Sequence, residues 1–349
     1  MVSFGIVGCG RVAEVHAAAI SEEKDANLLA LCDINDNRLE KMAKDYHVSD
    51  TYTSYQDMLN NPRIEVINIC TPNGLHAEMA IQAMEKGKHV MIEKPLATTI
   101  EDANRIIETA KKFNVKATVV HQNRFNEAVQ TTKAALNDGR FGKLCYGTAS
   151  VRWNREQAYY DQDAWRGTKQ MVDGVLMNQA IHTIDLFLWM MGPVKSVYGK
   201  TTTQLRDIEM EDVGTAIIEF ESGTTGVLDG TGIIYPVDLG AGINLFGEKG
   251  TVSIGGSAVN QIKHWRFSRT FEKEEQEMLM TQKENPPSVY GDGHKTIIAD
   301  FVQSIQQDLA PYVPLEAGLD AVKVILAIYE SSKTGKTIYF NHNKAISLL

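Results

Sequence analysis

Three short stretches of this 349-residue chain carry residue types that could do chemistry together. The first, Gly8-Cys9-Gly10-Arg11-Val12-Ala13, fits the pattern G-x-G-x-x-G/A. Set between a strand and a helix, such a loop cradles a pyrophosphate. Its first glycine makes the tight turn, its second lets the backbone approach the phosphates, and its small third residue lets helix and strand pack closely. Arg11 and Val12 open the helix whose N-terminus would face the anion. Asp33 ends the next apolar run and is placed to accept hydrogen bonds from the adenosine ribose. Its charge would repel a 2′-phosphate, so the expected cofactor is NAD rather than NADP. Ile34 and Asn35 supply no cation to reverse this, although Arg38 lies near. Thr71-Pro72-Asn73 follows a further apolar run, at the edge where open α/β sheets bind ligands. His76 is either a cofactor contact or the plain first residue of a helix.

The second stretch is Glu93-Lys94-Pro95, at the end of the run His89–Ile92 and so beside the expected nicotinamide position. A lysine held there can hydrogen-bond a substrate hydroxyl, and with its pKa lowered it can act as a base. Taken alone, a lysine before a proline is as readily a solvated surface residue. The third stretch is an apolar helix, Val175–Met191, interrupted by Asn178, His182 and Asp185 at spacings of four and three, which places all three on one face. Such a stripe must find partners, water or a ligand, so His182 is either a functional group or a satisfied core histidine.

The elements that would position these residues alternate in the first part of the chain. Strands are expected at Val2–Val7, Leu28–Cys32, Val66–Cys70, His89–Ile92 and Lys116–Val120. Helices are expected between them at Arg11–Ser21, Asn35–Tyr46, His76–Lys86 and Ile100–Phe113, a βαβ order that implies a parallel sheet. After about Lys143 the pattern turns β-rich, with Leu144–Trp153, Val194–Thr203, Asp212–Glu221, Thr224–Gly232 and Ile243–Phe246. The expected architecture is an α/β Rossmann domain over residues 1–122. An α+β domain with a large, mostly antiparallel open sheet follows over 123–349, its last helix, Leu315–Thr334, able to pack back on the first domain. Lys273–Asp292, charged and with Pro286-Pro287, reads as the least ordered stretch.

Composition narrows the classes. A net charge of −9 disfavours nucleic acid as a partner, which calls for a basic surface. Cys9, Cys32, Cys70 and Cys145 form no CxxC pair and read as buried free thiols in a reducing cytoplasm. The N-terminal apolar run stops at Gly8 and reads as a strand, not a signal peptide, and no stretch suits a membrane span. The nine histidines show no metal-ligand spacing, so no metal is expected.

With the glycine motif, Asp33, Thr71-Pro72, Glu93-Lys94-Pro95 and Asn178-x-x-x-His182 in this order, the chain resembles the Gfo/Idh/MocA oxidoreductase family. His121–Phe125 and the stretch from Gly318 to Gly335 match it too. The resemblance implies a catalytic Lys94, a His182 that contacts or deprotonates the reacting hydroxyl, a cofactor contact at Gln122 and a substrate contact at Arg124. Asn178 departs from the aspartate many relatives carry, which leaves Lys94 or His182 as the base, with Asp185 a substitute that could orient His182. A narrower resemblance, over Arg152–Asp185, is to bacterial nucleotide-sugar dehydrogenases of the WlbA/WbpB type. It implies oxidation at C3 of UDP-N-acetylglucosaminuronic acid, for 2,3-diamino sugars of surface polysaccharides, with tightly held NAD recycled by 2-oxoglutarate. Arg152, Arg155 and Arg166 would face the carboxylate and diphosphate, and Tyr159, Tyr160 and Trp165 the sugar, unless the arginines form a solvated face. The family further implies a homo-oligomer, dimer or tetramer, packed through the sheet. An inositol or free-sugar dehydrogenase, and a non-catalytic NAD or sugar sensor, are the competing readings.

Overall fold

The computed structural model describes residues 1–280 and 293–340. The chain divides into two compact units. One is Met1–Gln122 with Asp292–Leu319, and the other Asn123–Gly291 with Asp320–Leu349. The segment up to Leu319, expected with the second domain, thus belongs to the first, and the division falls inside the helix Leu315–Thr334.

The first unit holds a six-stranded parallel sheet. Its strands are β1 (Val2–Val7), β2 (Ala26–Cys32), β3 (Asp50–Tyr52), β4 (Val66–Ile69), β5 (His89–Ile92) and β6 (Ala117–Val119). They lie in the order β3-β2-β1-β4-β5-β6, so the direction of winding reverses between β1 and β4. That switch point opens a crevice at the carboxyl ends of the two strands. The central strands are buried on both sides and for that reason read as nearly continuous apolar runs, interrupted by Ser3 in β1 and Asn68 in β4. β3 escaped the sequence reading because three residues at a sheet edge, none of them buried and Thr51 exposed, leave no apolar run. The helix Gly293–Gln306 escaped it too, and it buries Ile297, Ile298 and Phe301 against this unit.

The second unit is an eight-stranded sheet of β7 (Leu144–Arg152), β8 (Val194–Thr202), β9 (Val213–Phe220), β10 (Thr225–Thr231), β11 (Gly240–Gly247), β12 (Thr251–Gly256), β13 (Gln261–Arg266) and β14 (Ile338–Tyr339). Its order is β13-β12-β11-β7-β10-β9-β8-β14, antiparallel throughout except for the parallel pair β7/β10. Each strand alternates. The even face of β9, for example, buries Gly214, Ala216, Ile218 and Phe220, while Thr215 and Ile217 stay exposed. The buried face packs on the helix Ile181–Met191. Gly147 meets Phe187 and Met191 there and Gly226 meets Phe187, and a side chain at either would collide with them. The opposite face carries exposed Tyr146, Tyr198, Ile217 and Phe246. Glu272–Met280 is a helix, against the expectation of disorder, and the rest of that expected stretch, 281–292, lies outside the described residues.

Candidate active site

In the first unit the glycine loop has the geometry its sequence calls for. Gly8 sits at φ 88°, and a Cβ there would come within 2.7 Å of the Cys70 carbonyl oxygen. A Cβ on Gly10 would meet nothing within 4 Å, so its outer face is open to an approaching phosphate. The helix Arg11–Glu22 begins at Gly10 with no side-chain cap, leaving its first N–H groups available to an anion. Asp33 accepts from the backbone N–H of Cys9 at 2.6 Å and of Asn35 at 2.7 Å, which fixes its carboxylate beside the loop. Ile34, 93 % exposed, stands next to it. Asn35 caps the following helix by accepting from the Arg38 N–H. Asn73 Nδ2 and Gln122 Oε1, beyond β4 and β6, are buried without a hydrogen-bond partner among the described residues, which a bound polar ligand would relieve. Loop, carboxylate and orphaned amides together fit a dinucleotide.

Burial, and then the charge of Asp33, pushes the thiols of Cys9 and Cys32 up to about 12, so both stay protonated and inert. Cys145 corrects the expectation that all four thiols are buried. It is exposed, near the start of β7.

The turn that carries Lys94 is held from beneath by buried polar groups. Glu93 accepts from His16 Nε2 at 2.8 Å through Oε1 and from the Lys94 backbone N–H at 3.2 Å through Oε2. His294 Nε2 stands 3.8 Å from the same Oε1, and Asn68 Nδ2 lies 3.0 Å from His16 Nδ1. Burial alone would raise the Glu93 pKa, but the two histidines hold it well below the usual carboxylate range. His16, Glu93 and His294 put their donor atoms within 4.8 Å of one another, a set that could hold a metal. With the Asn68 amide donating to Nδ1, however, the His16 proton sits on Nε2 and points at Glu93, which makes the contact a hydrogen bond rather than a ligand pair. Glu93 is thus turned inward, not toward a cofactor. The same holds for His76: Nδ1 lies 2.7 Å from the Pro95 carbonyl and Nε2 2.8 Å from that of Thr71. Only an imidazolium could donate to both, while burial, the larger influence, lowers its pKa. The Lys94–Pro95 peptide is cis.

In the second unit the apolar helix is not uniform. Val175–Ala180 is a π-turn, and the α-helix begins only at Ile181. Asn178 lies in this wider turn and His182 in the first turn of the α-helix that follows. Asn178 donates to Asp173, and its amide also approaches the Tyr159 hydroxyl. That hydroxyl accepts from Arg166 Nη1 at 2.7 Å and from Gln179 at 3.2 Å. Arg166 stacks over Tyr159 and Trp165, and Arg155 over Trp153 and Tyr159, so two guanidinium groups share one aromatic plate. Asp185, a candidate substitute for orienting His182, binds Arg124 bidentately at 2.8 and 2.7 Å and buried. Arg124 therefore spends its fork inside the protein, a correction to its expected role on substrate. Arg152 is corrected too. It shares the outer face of β7 with Tyr146 and pairs with Asp229 at 2.9 and 3.1 Å, on the face opposite the one the helix covers. Tyr160 is buried, its hydroxyl without a partner among the described residues.

The sequence reading missed His16, Asn68, His294 and Asp173. His16 left a signal: with Ala13, Ala17 and Ile20 it occupies the apolar stripe of its helix, where a histidine demands a partner.

Two family comparisons match most of the chain. The Gfo/Idh/MocA oxidoreductase family model for the NAD-binding Rossmann fold matches residues 2–121, and that for the C-terminal alpha/beta domain matches 133–340. Among solved structures, the WlbA dehydrogenase from Bordetella pertussis, in complex with NADH and UDP-GlcNAcA, is 36% identical with a TM-score of 0.88, covering 98% of this chain and 99% of its own. Myo-inositol 2-dehydrogenase from Thermotoga maritima is 29% identical over 71% of this chain and 73% of its own. The NADP-dependent scyllo-inositol 2-dehydrogenase IolW from Bacillus subtilis is 26% identical over 98% of this chain and 96% of its own.

Proposed function

The chain belongs to the Gfo/Idh/MocA oxidoreductase family, and on that premise we propose that it oxidises the C3 hydroxyl of UDP-N-acetylglucosaminuronic acid to the 3-keto sugar. The observation that carries this reading is the 36% identity, over nearly the full length of both chains, to a dehydrogenase solved with NADH and UDP-GlcNAcA. NAD, when bound, supplies the hydride acceptor. Gly8, Gly10 and the uncapped helix start bind its pyrophosphate, and Asp33 its ribose. Lys94 and His182 share the proton of the 3-hydroxyl, one removing it and the other hydrogen-bonding the oxygen. Arg166, oriented by Tyr159, binds the uronic carboxylate, and Arg155 adds positive charge beside it. Neutral UDP-sugars therefore react poorly. The reading includes a cytoplasmic enzyme of 2,3-diamino sugar synthesis, with tightly held NAD recycled by 2-oxoglutarate and subunits paired into a dimer or tetramer. No helix among the described residues is long and apolar enough to cross a membrane.

The deciding experiment incubates the protein with UDP-N-acetylglucosaminuronic acid and 2-oxoglutarate and follows both by mass spectrometry. A nucleotide sugar lighter by two hydrogens, formed with 2-hydroxyglutarate, supports both the substrate and the recycling. An untouched sugar removes the substrate. The second reading, an inositol dehydrogenase, is favoured by the two inositol-oxidising relatives, and myo- and scyllo-inositol form the next panel.

A further inference from the structure

Lys94 lies just beyond the end of β5, where the ladder no longer fixes the chain. Its backbone is nonetheless tied on both sides. The Glu93 carboxylate takes its N–H at 3.2 Å, and His76 Nδ1 lies 2.7 Å from the carbonyl of the next residue, Pro95. Behind Glu93 stand His16 and His294, and behind His16 stands Asn68. Behind His76 stands the carbonyl of Thr71, at the end of the neighbouring strand. Each of these side chains is buried. Ionisable groups are costly to bury, and apolar residues of the same volume would pack the same space at less expense. Neither group is aimed at the glycine loop. What they share is the dipeptide between them.

We propose that Glu93 and His76 are positioning residues for Lys94: Glu93 holds its N–H, His76 holds the carbonyl that follows, and His16 and His294 hold Glu93. The inference rests on the reading of Lys94 as a proton-transfer residue. A general acid or base must reach the reacting oxygen within hydrogen-bond distance, and a shift of its backbone by an ångström removes it from reach. Hydrogen bonds, rather than the charge of Glu93, are what the grip needs. Glutamine at 93 can keep them. Its carbonyl accepts from the Lys94 N–H, and its amide faces a His16 that has moved its proton to Nδ1, toward an Asn68 amide rotated to present Oδ1, an atom without a partner among the described residues.

The test compares Glu93→Ala, Glu93→Gln and His76→Ala in the full-length protein, with Lys94→Met as reference. Turnover of UDP-N-acetylglucosaminuronic acid gives kcat and KM, fluorescence gives the Kd of NAD, and thermal melting reports the fold. Competitive acetylation with acetic anhydride, read by peptide mass spectrometry, gives the reactivity of Lys94 without any substrate. For Glu93→Ala the expected result is a kcat lower by at least about 30-fold, with KM and NAD Kd within about threefold and Lys94 acetylation changed at least about threefold relative to the other lysines. Glu93→Gln recovers about tenfold of that loss. A folded Glu93→Ala with wild-type kcat and labelling overturns the proposal, as does one whose NAD affinity falls in step with kcat. Glu93→Gln as poor as Glu93→Ala overturns it as well, since the charge would then matter and not the grip. Should Glu93→Ala fail to fold, His76→Ala decides by the same criteria. An active Lys94→Met, or a sugar that is not turned over, removes the reading beneath, and the labelling of Lys94 then decides the inference alone.

Discussion

Lys94 is the residue whose loss should cost most. Lys94→Met keeps an apolar stem and removes the side chain's one ionisable atom, Nζ. Turnover should fall by at least about 100-fold, the usual scale of general acid–base catalysis, while NAD binds as before. Steady-state rates beside a fluorescence titration check it, and a variant within a few-fold of wild type removes Lys94 from the chemistry. Asp33 tests the other half. Its carboxylate is pinned by the Cys9 and Asn35 N–H groups at the place a 2′-phosphate would occupy. Asp33→Ser should lower the preference for NAD over NADP by at least about tenfold, roughly 1.4 kcal/mol, measured as the ratio of the two Kd values. Residues like these were legible because their signal is local: Gly8, Gly10 and Asp33 lie within one βαβ unit and read as a fingerprint. Arg124 and Asp185 are 61 positions apart and Glu93 and His16 are 77 apart, so pairings of that kind exist only after folding. Arg152 is a different case. Its alternation with Gly147, Ala149 and Val151 was there to be read, and it places the side chain outside.

At the scale of elements, the helix Val175–Met191 shows what an apolar run can and cannot reveal. Its existence followed from composition, but its π-turn depends on Glu211. That residue takes the Val175 N–H with its backbone carbonyl and the Leu176 N–H with its carboxyl at 2.9 Å, while Tyr329 donates to the same carboxyl oxygen at 3.0 Å. Burial, only partly opposed by these bonds, raises the Glu211 carboxyl from 4.5 to about 7. The fold therefore favours the protonated form. The stabilisation is full below pH 4.5 and is lost as pH rises through about 7. Wild-type protein should lose more melting temperature between pH 5 and pH 8 than Glu211→Gln, which has nothing to ionise there. Parallel losses in the two proteins would show that Glu211 ionisation is not coupled to folding. The short edge strand β3 and the alternating pair β12 and β13 went unread for want of long apolar runs, though Val252, Ile254, Ile262 and Trp265 mark a buried face.

For the whole molecule, the outer face of the eight-stranded sheet is the surface on which apolar side chains from several strands stay exposed. Tyr198 pairs with Ile217 across β8 and β9, Ile217 with Val227 across β9 and β10, and Tyr146 stacks on Phe246 across β7 and β11. Exposed apolar groups of this kind, spread over several strands and separated only by Thr148 and Thr225, are what a second copy of the chain would cover. Ile217→Lys should shift the protein toward monomer in size-exclusion chromatography with light scattering. An unchanged mass would show that this face carries no subunit contact.

The division of the chain has a consequence for how the protein is made. His294 reaches Glu93 only because the helix Gly293–Gln306 returns to the first unit after the longer segment of the second, Asn123–Gly291, has been traversed. A ribosome that has released residues 1–122 has therefore delivered the sheet and its glycine loop, but neither the histidine that helps hold Glu93 nor the apolar face of Ile297, Ile298 and Phe301. The nascent nucleotide half must wait, part of its core uncovered, until residues 293–306 have been made, and by then strands β7 to β13 of the second unit have already been synthesised.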